Sequence, residues 1–388
     1  MGAILAGLVV LVGCGMSLLY TLVIPRGFSS RLAVFVGRHV VRRAFLVIAN
    51  RFESFEAKDR VLALAAPIAL LALFVVWVVG FLLGYALVVW PFSGATFPEA
   101  ARQTAASLFT LTLDPSRRVG PTALHLIAAG TGLLVVALEI GYLPTIYAAF
   151  NRRETLVTLL ESRAGAPAWG PEVLARHQLV GIVDSLPELY DAWERWAAEV
   201  DETHSTYVIL VSFRSPHHLR SWVLALLAVL DSAALYLSLA PKAAPSEARL
   251  CLRMGFTCLR DVATTFGIPF EHDPMPDAPV QLTYEEFLEG VRRVEESGFP
   301  MEESPEDAWP HFRGWRVNYE SIAYALADQT IAAPGPWSGS RRYVKGTIAP
   351  VRPVDRRPHD PEDKLSSTFD PPGRQDALPV EEGRRDGR

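Results

Sequence analysis

Three long apolar segments occupy the first 150 residues, and charged stretches separate them from one another. They run from Gly2 to Ile24, from Val61 to Val89 and from Thr122 to Phe150. A helix needs about 20 apolar residues to cross the hydrocarbon layer of a bilayer. The pattern therefore predicts three transmembrane helices. The first, covering residues 1–25, is expected to stay in the protein, because no basic stretch precedes its apolar run and no small-residue cleavage site clearly follows it.

Apolar residues in the second half of the chain recur at helical spacing. One such face holds Leu189, Trp193, Trp196 and Val200. Thr283 and Glu286 open another helix with the pattern in which the two side chains cap each other's backbone N–H groups. A further helix is predicted from Ser246 to Phe266. We therefore predict a soluble α-helical domain over residues 151–333. Beyond it Pro, Gly, Arg and Asp dominate, which predicts a disordered tail over residues 334–388.

The segment 219–239 leaves two interpretations open. Its apolar core of about 17 residues approaches the length that crosses a membrane, but Asp231 interrupts it. It is expected to be a central helix buried on all sides, in which Arg214 or His204 donates to the Asp231 carboxylate. The alternative is a fourth transmembrane helix, which would place the rest of the chain on the other side of the membrane.

Basic residues mark the cytoplasmic side of the predicted helices. The linker of residues 26–60 holds eight Lys and Arg against three Asp and Glu, and Arg152 and Arg153 follow the third segment. Cytoplasmic loops carry an excess of Lys and Arg, so the N-terminus is predicted outside the cell membrane and the helical domain in the cytoplasm. Residues 31–50 are expected to form a basic amphipathic helix in the inner interface, or alternatively a helix packed on the soluble domain.

The predicted outside segment begins with a helix-start pattern at Thr96, Pro98 and Glu99. Residues 100–109 permit a helix of about 12 residues, which at about 18 Å is too short to cross a bilayer. The chain would return through the irregular stretch 110–114. Such backbone survives at membrane depth only where protein or water surrounds it. These residues therefore predict a re-entrant helix and loop.

Together with its flanking helices, this arrangement resembles the pore domain of the potassium-channel superfamily over residues 61–150. The resemblance implies passive ion permeation through a homo-oligomer, a tetramer in that family, with inorganic ions and the lipid bilayer as partners. The implied ion pathway consists of Thr110, Leu111, Thr112, Leu113 and Asp114. The implied gating hinges in the third helix are Gly130, Gly132, Gly141 and Pro144.

The loop departs from the T-V-G-Y-G pattern of that family, because its residues are T-L-T-L-D and no glycine lies between Thr104 and Gly120. Glycine supplies the φ > 0 geometry that the carbonyl ladder of a potassium filter needs. Arg117 and Arg118 add positive charge beside the predicted mouth. We therefore expect cation permeation without standard potassium selectivity. The alternative is a non-conducting membrane anchor that displays the helical domain as a scaffold or sensor.

Glu139 is the one acidic residue in the third apolar segment. A carboxylate at this depth is costly unless it faces water, a partner or another subunit. In an inner pore helix Glu139 would line the cavity below the filter and attract cations. The alternative is a protonated or paired carboxyl group that holds helices together.

The composition agrees with a membrane protein and argues against several other classes of protein. Hydrophobic residues make up 50% of the chain and charged residues 20%. The net charge of -5 argues against a nucleic-acid-binding protein. Cys14, Cys251 and Cys258 are too few for a disulfide framework and suit a cytoplasmic domain. No motif for a catalytic nucleophile, a nucleotide or a metal occurs, so we expect neither an enzyme nor a cofactor or metal site.

Overall fold

The computed structural model describes residues 1–24, 30–110 and 119–351, without the side chains of residues 110 and 119–121. Within these ranges the regular elements are helices, and the only strand-like pairing is one isolated bridge between Ala166 and Val351. The predicted all-α class is therefore confirmed. The α-helices are α1 Gly2–Leu22, α2 Arg31–Val34, α3 Arg42–Ala49, α4 Phe55–Ala63, α5 Ala65–Ser93, α6 Phe97–Thr110, α7 Val119–Ala164, α8 Gly170–Val180, α9 Leu186–Thr206, α10 Trp222–Leu239, α11 Ser246–Phe266, α12 Tyr284–Glu296, α13 Pro305–Arg316 and α14 Glu320–Thr330.

Four helical stretches among the described residues are long and apolar enough to cross a membrane, by length and composition. They are Gly2–Leu22, Phe55–Ser93, Thr122–Ala164 and Trp222–Leu239. Between 22% and 28% of the first three apolar stretches is buried inside the protein, against 94% of the fourth. The first three therefore present wide apolar surfaces, whereas α10 is enclosed by the helices around it.

Small residues bring α1 and α5 into close contact. A Cβ atom added to Gly7 would lie 2.7 Å from the carbonyl oxygen of Gly84. Small residues of this kind allow helices to pack closely in membranes. Nearer the other end of α1, Nε1 of Trp77 donates to Oγ of Ser17 at 3.0 Å, and Ser17 also accepts from Ser30 at 2.7 Å. These contacts hold α1 along α5 at two levels.

The linker is helical from Arg31 to Ala49, because a π-helical turn over Phe35–Val41 joins α2 to α3. The Arg38 guanidinium donates to the carbonyl oxygen of Phe266 at 3.1 Å, and that of Arg42 donates to the carbonyl oxygen of Gln329 at 2.8 Å. Phe35 and Val47, in contrast, are exposed. The linker thus packs on the helical domain and also keeps exposed apolar side chains of the kind that an interfacial helix carries.

The helical domain is built around α10, which α8, α11, α13 and α14 surround. Asp231 in the middle of α10 accepts a hydrogen bond from the Tyr319 hydroxyl at 2.9 Å and pairs with Arg316 at 2.8 Å, and all three residues are buried. The prediction that Arg214 or His204 donates to Asp231 is wrong, since both have partners elsewhere. Local sequence does not reveal which later helix packs on α10, so the true donors could not be identified from it.

Packed structure continues beyond the predicted start of the tail at residue 334. Nε1 of Trp337 donates to the carbonyl oxygen of Glu286 at 3.0 Å, and the Arg341 guanidinium donates to that of Ala332 at 3.0 Å. Both side chains are buried. Residues 334–351 therefore lie on the helical domain, although their composition resembles that of a tail. Residues 352–388 lie outside the described part of the chain.

Candidate functional site

The short helix α6 begins where α5 ends and lies between α5 and α7. The rings of Trp90 and Phe97 meet edge to face at 5.6 Å between centroids. In the first turn, the Glu99 carboxylate pairs with Arg102 at 2.6 Å. The helix that the sequence predicts here is thus present over Phe97–Thr110.

One face of α6 is buried against its neighbours. This face holds Ala100, Thr104, Ser107 and Leu108, each of which is buried. Oγ of Ser107 lies 3.1 Å from Nδ1 of His125 in α7. In the last turn of α6, the backbone lies directly on α7, because a Cβ atom added to Gly132 would be 2.1 Å from the Leu108 carbonyl oxygen. The two helices therefore form one packed unit.

The end of α6 lies well inside the length of the neighbouring helices. Gly132 lies thirteen residues after the start of α7, a distance of about 20 Å along the helix. At the same level, the Tyr85 hydroxyl in α5 lies 2.7 Å from Oγ1 of Thr131. Tyr85 is eight residues before the end of α5, or about 12 Å. The helix α6 consequently runs from the end of α5 to a level about a third of the way along the apolar part of α7.

The predicted ion pathway starts at the end of α6. Thr110 is the last residue of that helix, but its side chain and the following residues of the pathway lie outside the described part of the chain. Those residues are Leu111, Thr112, Leu113 and Asp114. The structure does place the carbonyl end of α6, which carries partial negative charge, beside Gly132.

Glu139 lies two helical turns beyond Gly132 on the same side of α7. Its side chain is half-buried. Among the described residues, no hydrogen bond or ion pair joins Glu139 to another side chain. Whether Glu139 lines a cavity below a filter stays a prediction.

The helix α7 continues through all four predicted hinge residues. Leu108 leaves no room for a side chain at Gly132, so packing explains that glycine. Around Gly130 and Gly141, nothing lies within 4 Å of an added Cβ atom, and Pro144 is exposed. Packing does not explain these three residues, and bending there stays a prediction.

A buried arginine anchors α7 in the helical domain. The Arg153 guanidinium donates to the carbonyl oxygens of Leu210 and Phe213, each at 2.8 Å, and pairs with Glu154 at 2.7 Å. It also donates to Nε2 of His204 at 3.1 Å. Burial, together with the Arg153 charge, lowers the pKa of His204 well below its usual value, so its imidazole is neutral and accepts this bond. From the sequence, Arg153 is predicted only to mark the cytoplasmic side, because its partners are distant along the chain.

No group of three or more His, Cys, Asp or Glu side chains within the described ranges is placed to hold a metal ion. Cys251 and Cys258 are buried in the core of the helical domain. Burial raises the pKa of both thiols, which disfavours the thiolate that metals and electrophiles require. The two residues are therefore core side chains.

Function has to be inferred from the residues of this chain and their arrangement. Comparisons with known protein families, with curated proteins and with solved structures give no match.

Proposed function

We propose that the chain is one subunit of an ion-channel-like integral membrane protein through which cations pass passively. In this proposal α1, α5 and α7 cross the cell membrane, and α6 enters from outside and ends within the membrane. The helical domain, with α10 as its core, lies in the cytoplasm. The observation that carries the proposal is the position of α6, a helix of 14 residues packed between two long apolar helices.

Exposed apolar side chains support three crossing helices. More than half of the surface is exposed at Leu5, Val9, Val12, Leu71, Val75, Leu133, Leu134 and Ile140. Single exposed apolar residues are common in soluble proteins, but wide apolar surfaces indicate contact with lipid or protein. The enclosure of α10 favours a core helix over a fourth crossing. The excess of Lys and Arg in residues 26–60 supports a cytoplasmic linker.

The charges along the proposed pathway favour cations. The carbonyl end of α6 directs partial negative charge towards the centre of the membrane. Glu139 adds a carboxylate two turns below. The hydroxyl and carbonyl groups of residues 110–114 are the ligand types that replace the hydration shell of a cation in a filter. Because this stretch lacks glycine, we expect weak discrimination between potassium and sodium.

The proposal requires a symmetric homo-oligomer. One helix α6 and one Glu139 in each chain do not enclose a pore, so several copies must surround a shared axis, four of them by resemblance to the potassium-channel superfamily. The exposed apolar residues of α7 provide surface for such contacts. In the assembly Glu139 would face the water-filled centre, which removes most of the cost of burying its charge.

A non-conducting scaffold is the second candidate. It is favoured by the absence of glycine between Thr104 and Gly120 and by the positive charges of Arg117 and Arg118. In that case α6 only packs between the long helices, and the helical domain carries the function.

Ion flux separates the two candidates. The full-length protein is reconstituted in liposomes, and potassium, sodium and chloride fluxes are measured under imposed gradients and voltages. We expect cation flux that falls about tenfold in Glu139→Gln, since a carboxylate in a narrow site raises the local cation concentration. The variant Thr110→Ala tests whether the start of the proposed pathway contributes to this cation flux. Glu99→Gln is the matched control, because Glu99 lies in α6 and is already paired with Arg102.

A folded, inserted wild-type protein without flux under any condition contradicts the channel proposal and leaves the scaffold. Cation flux that Glu139→Gln leaves unchanged shows that the pathway does not pass this residue.

A further inference from the structure

A cavity of about 320 Å³ lies where α1, α5 and the linker meet the helical domain. Thr21 in the last turn of α1 and Ala65 at the start of α5 mark its membrane side. Phe266 at the end of α11 and Thr330 at the end of α14 mark its domain side. In the orientation proposed above, the cavity lies at the level of the inner membrane surface.

Four arginines line this cavity, and no Asp or Glu is among the described residues that line it. They are Arg38, Arg42, Arg214 and Arg342. Two have carboxylate partners behind the cavity wall, since Arg214 pairs with Asp59 and Arg342 with Asp328 at 2.5 Å.

Arg38 and Arg42 donate only to backbone carbonyl oxygens among the hydrogen bonds of the described residues. Burial, and after it the charges of Arg342 and Arg38, lower the pKa of Arg42. Arg38 and Arg42 thus have no carboxylate hydrogen-bond partner of their own among the described residues, and an anion in the cavity would offset the repulsion between the arginines.

The membrane side of the cavity is apolar. Ala66, Ala69 and Leu73 repeat along one face of α5, and Leu70 and Tyr142 widen this surface. From Ala65 to Leu73 the lining extends about 12 Å along α5 towards the middle of the membrane. A basic end and an apolar end thus share one space. Free phosphate or a sugar phosphate would use only the basic end.

We propose that this cavity binds an anionic glycerophospholipid of the inner leaflet, with the phosphate at Arg38 and Arg42 and the acyl chains along Ala66 to Leu73 of α5. Arginine is suited to the phosphate, because its planar guanidinium donates two parallel hydrogen bonds. The inner leaflet supplies anionic lipids at the depth of the cavity. The inference rests on the proposed membrane orientation and is independent of ion conduction.

Lipid binding tests the inference directly. Full-length protein in detergent is titrated with phosphatidylglycerol or phosphatidylcholine of identical acyl chains, and bound lipid is counted by native mass spectrometry. Wild-type protein is expected to bind phosphatidylglycerol about tenfold more tightly, since each arginine near an anionic lipid adds to the affinity. The double variant Arg38→Gln with Arg42→Gln is expected to lose that preference.

Two further variants keep the test decisive. Arg43→Gln with Arg51→Gln removes the same charge from exposed positions outside the cavity and is expected to bind like the wild type. Gly37→Leu keeps every charge but places a large side chain in the cavity, since Gly37 lines it and nothing lies within 4 Å of a Cβ atom there. It is expected to lose bound phosphatidylglycerol without loss of helical structure.

The outcomes separate the possible occupants. Equal binding of both lipids, or an unchanged preference in Arg38→Gln with Arg42→Gln or in Gly37→Leu, overturns the proposal. Full competition by glycerol 3-phosphate at equal concentration shows a site for a soluble anion and overturns the lipid assignment. Lipid binding without ion flux in the same preparation supports this site and contradicts only the channel.

Discussion

The Arg153 guanidinium donates a hydrogen bond across 3.1 Å to Nε2 of His204, and both side chains are buried. The contact joins α7, just beyond its apolar stretch, to the end of α9. A protonated imidazole here would place two positive charges side by side in a medium of low dielectric constant. The native protein therefore requires His204 to be neutral.

This requirement predicts a loss of stability in acid. A histidine in the unfolded chain titrates near pH 6.5, whereas burial and then Arg153 hold the native pKa of His204 well below that value. Below pH 6.5 the unfolded state binds a proton that the native state excludes, so the free energy of unfolding falls by about 1.4 kcal/mol per pH unit. We expect the thermal midpoint to drop between pH 6.5 and pH 5, and to drop less in His204→Gln. The exposed His217→Gln is the control, and an unchanged slope in His204→Gln contradicts the assignment.

Neighbouring arginines in α7 are expected to differ strongly in their effect on stability. Arg153→Ala leaves Glu154 and two carbonyl oxygens without their buried donor, which predicts a loss of roughly 3–5 kcal/mol. Arg152→Ala removes an exposed ion pair with Glu199, which is worth about 1 kcal/mol or less. Denaturant unfolding of the two variants in detergent measures the difference. Similar losses in both would show that the buried network does not stabilise the domain.

Gly130 and Gly132, which are separated by one residue, offer a matched test of the α6–α7 contact. Gly132→Ala forces Cβ against the Leu108 carbonyl oxygen, which predicts a loss of about 1–3 kcal/mol from overpacking. Gly130→Ala meets nothing within 4 Å and is expected to be neutral or to stabilise the helix by up to about 1 kcal/mol. Thermal midpoints in detergent provide the measurement. Equal midpoints would mean that α6 does not lie on α7 at this level.

Because the folded domain includes residues 334–351, chains truncated before and after this segment are expected to differ in stability. A chain that ends after residue 351 keeps the Trp337 indole packed against Gly290. A Cβ atom added to Gly290 would lie 2.2 Å from this indole. This truncated chain is expected to match the full chain in stability. A chain that ends after residue 333 loses this indole, which predicts a cost of about 3–5 kcal/mol. Trp337→Ala in the full chain separates the side chain from the rest of the segment. Equal stability of all these forms would place residues 334–351 outside the folded domain.

The helices could be predicted from the sequence because short stretches of neighbouring residues determine where a helix begins and ends. The helix from Ser246 to Phe266 has the predicted ends, since Gly267 takes the left-handed conformation that terminates it. The capping box of Thr283 and Glu286 is present with both of its hydrogen bonds. The apolar stretches likewise mark α1, α5 and α7, because their composition alone determines where such helices can lie.

Contacts between distant segments could not be predicted in the same way. Asp231 finds its donors on α13 and after it, about 85 residues further along the chain. The close approach of the α6 backbone to Gly132 is another such contact that the sequence does not reveal. The arginine-lined cavity brings together charges from three regions of the chain, namely the linker, the segment around Arg214 and the segment around Arg342.

The continuity of α7 has a mechanical consequence. A helix of 46 residues is about 69 Å long, and Arg153 fixes its C-terminal third to the helical domain. While α7 stays unbent, a tilt of about 10° around its midpoint moves each end by about 6 Å. A shift of the helical domain and a displacement of the start of α7 would then be one motion, whereas Glu139 lies close to the midpoint and moves little. A bend at Gly130 or Gly141 would uncouple the two ends of α7, so distance measurements at each end can distinguish a tilting helix from a bending one.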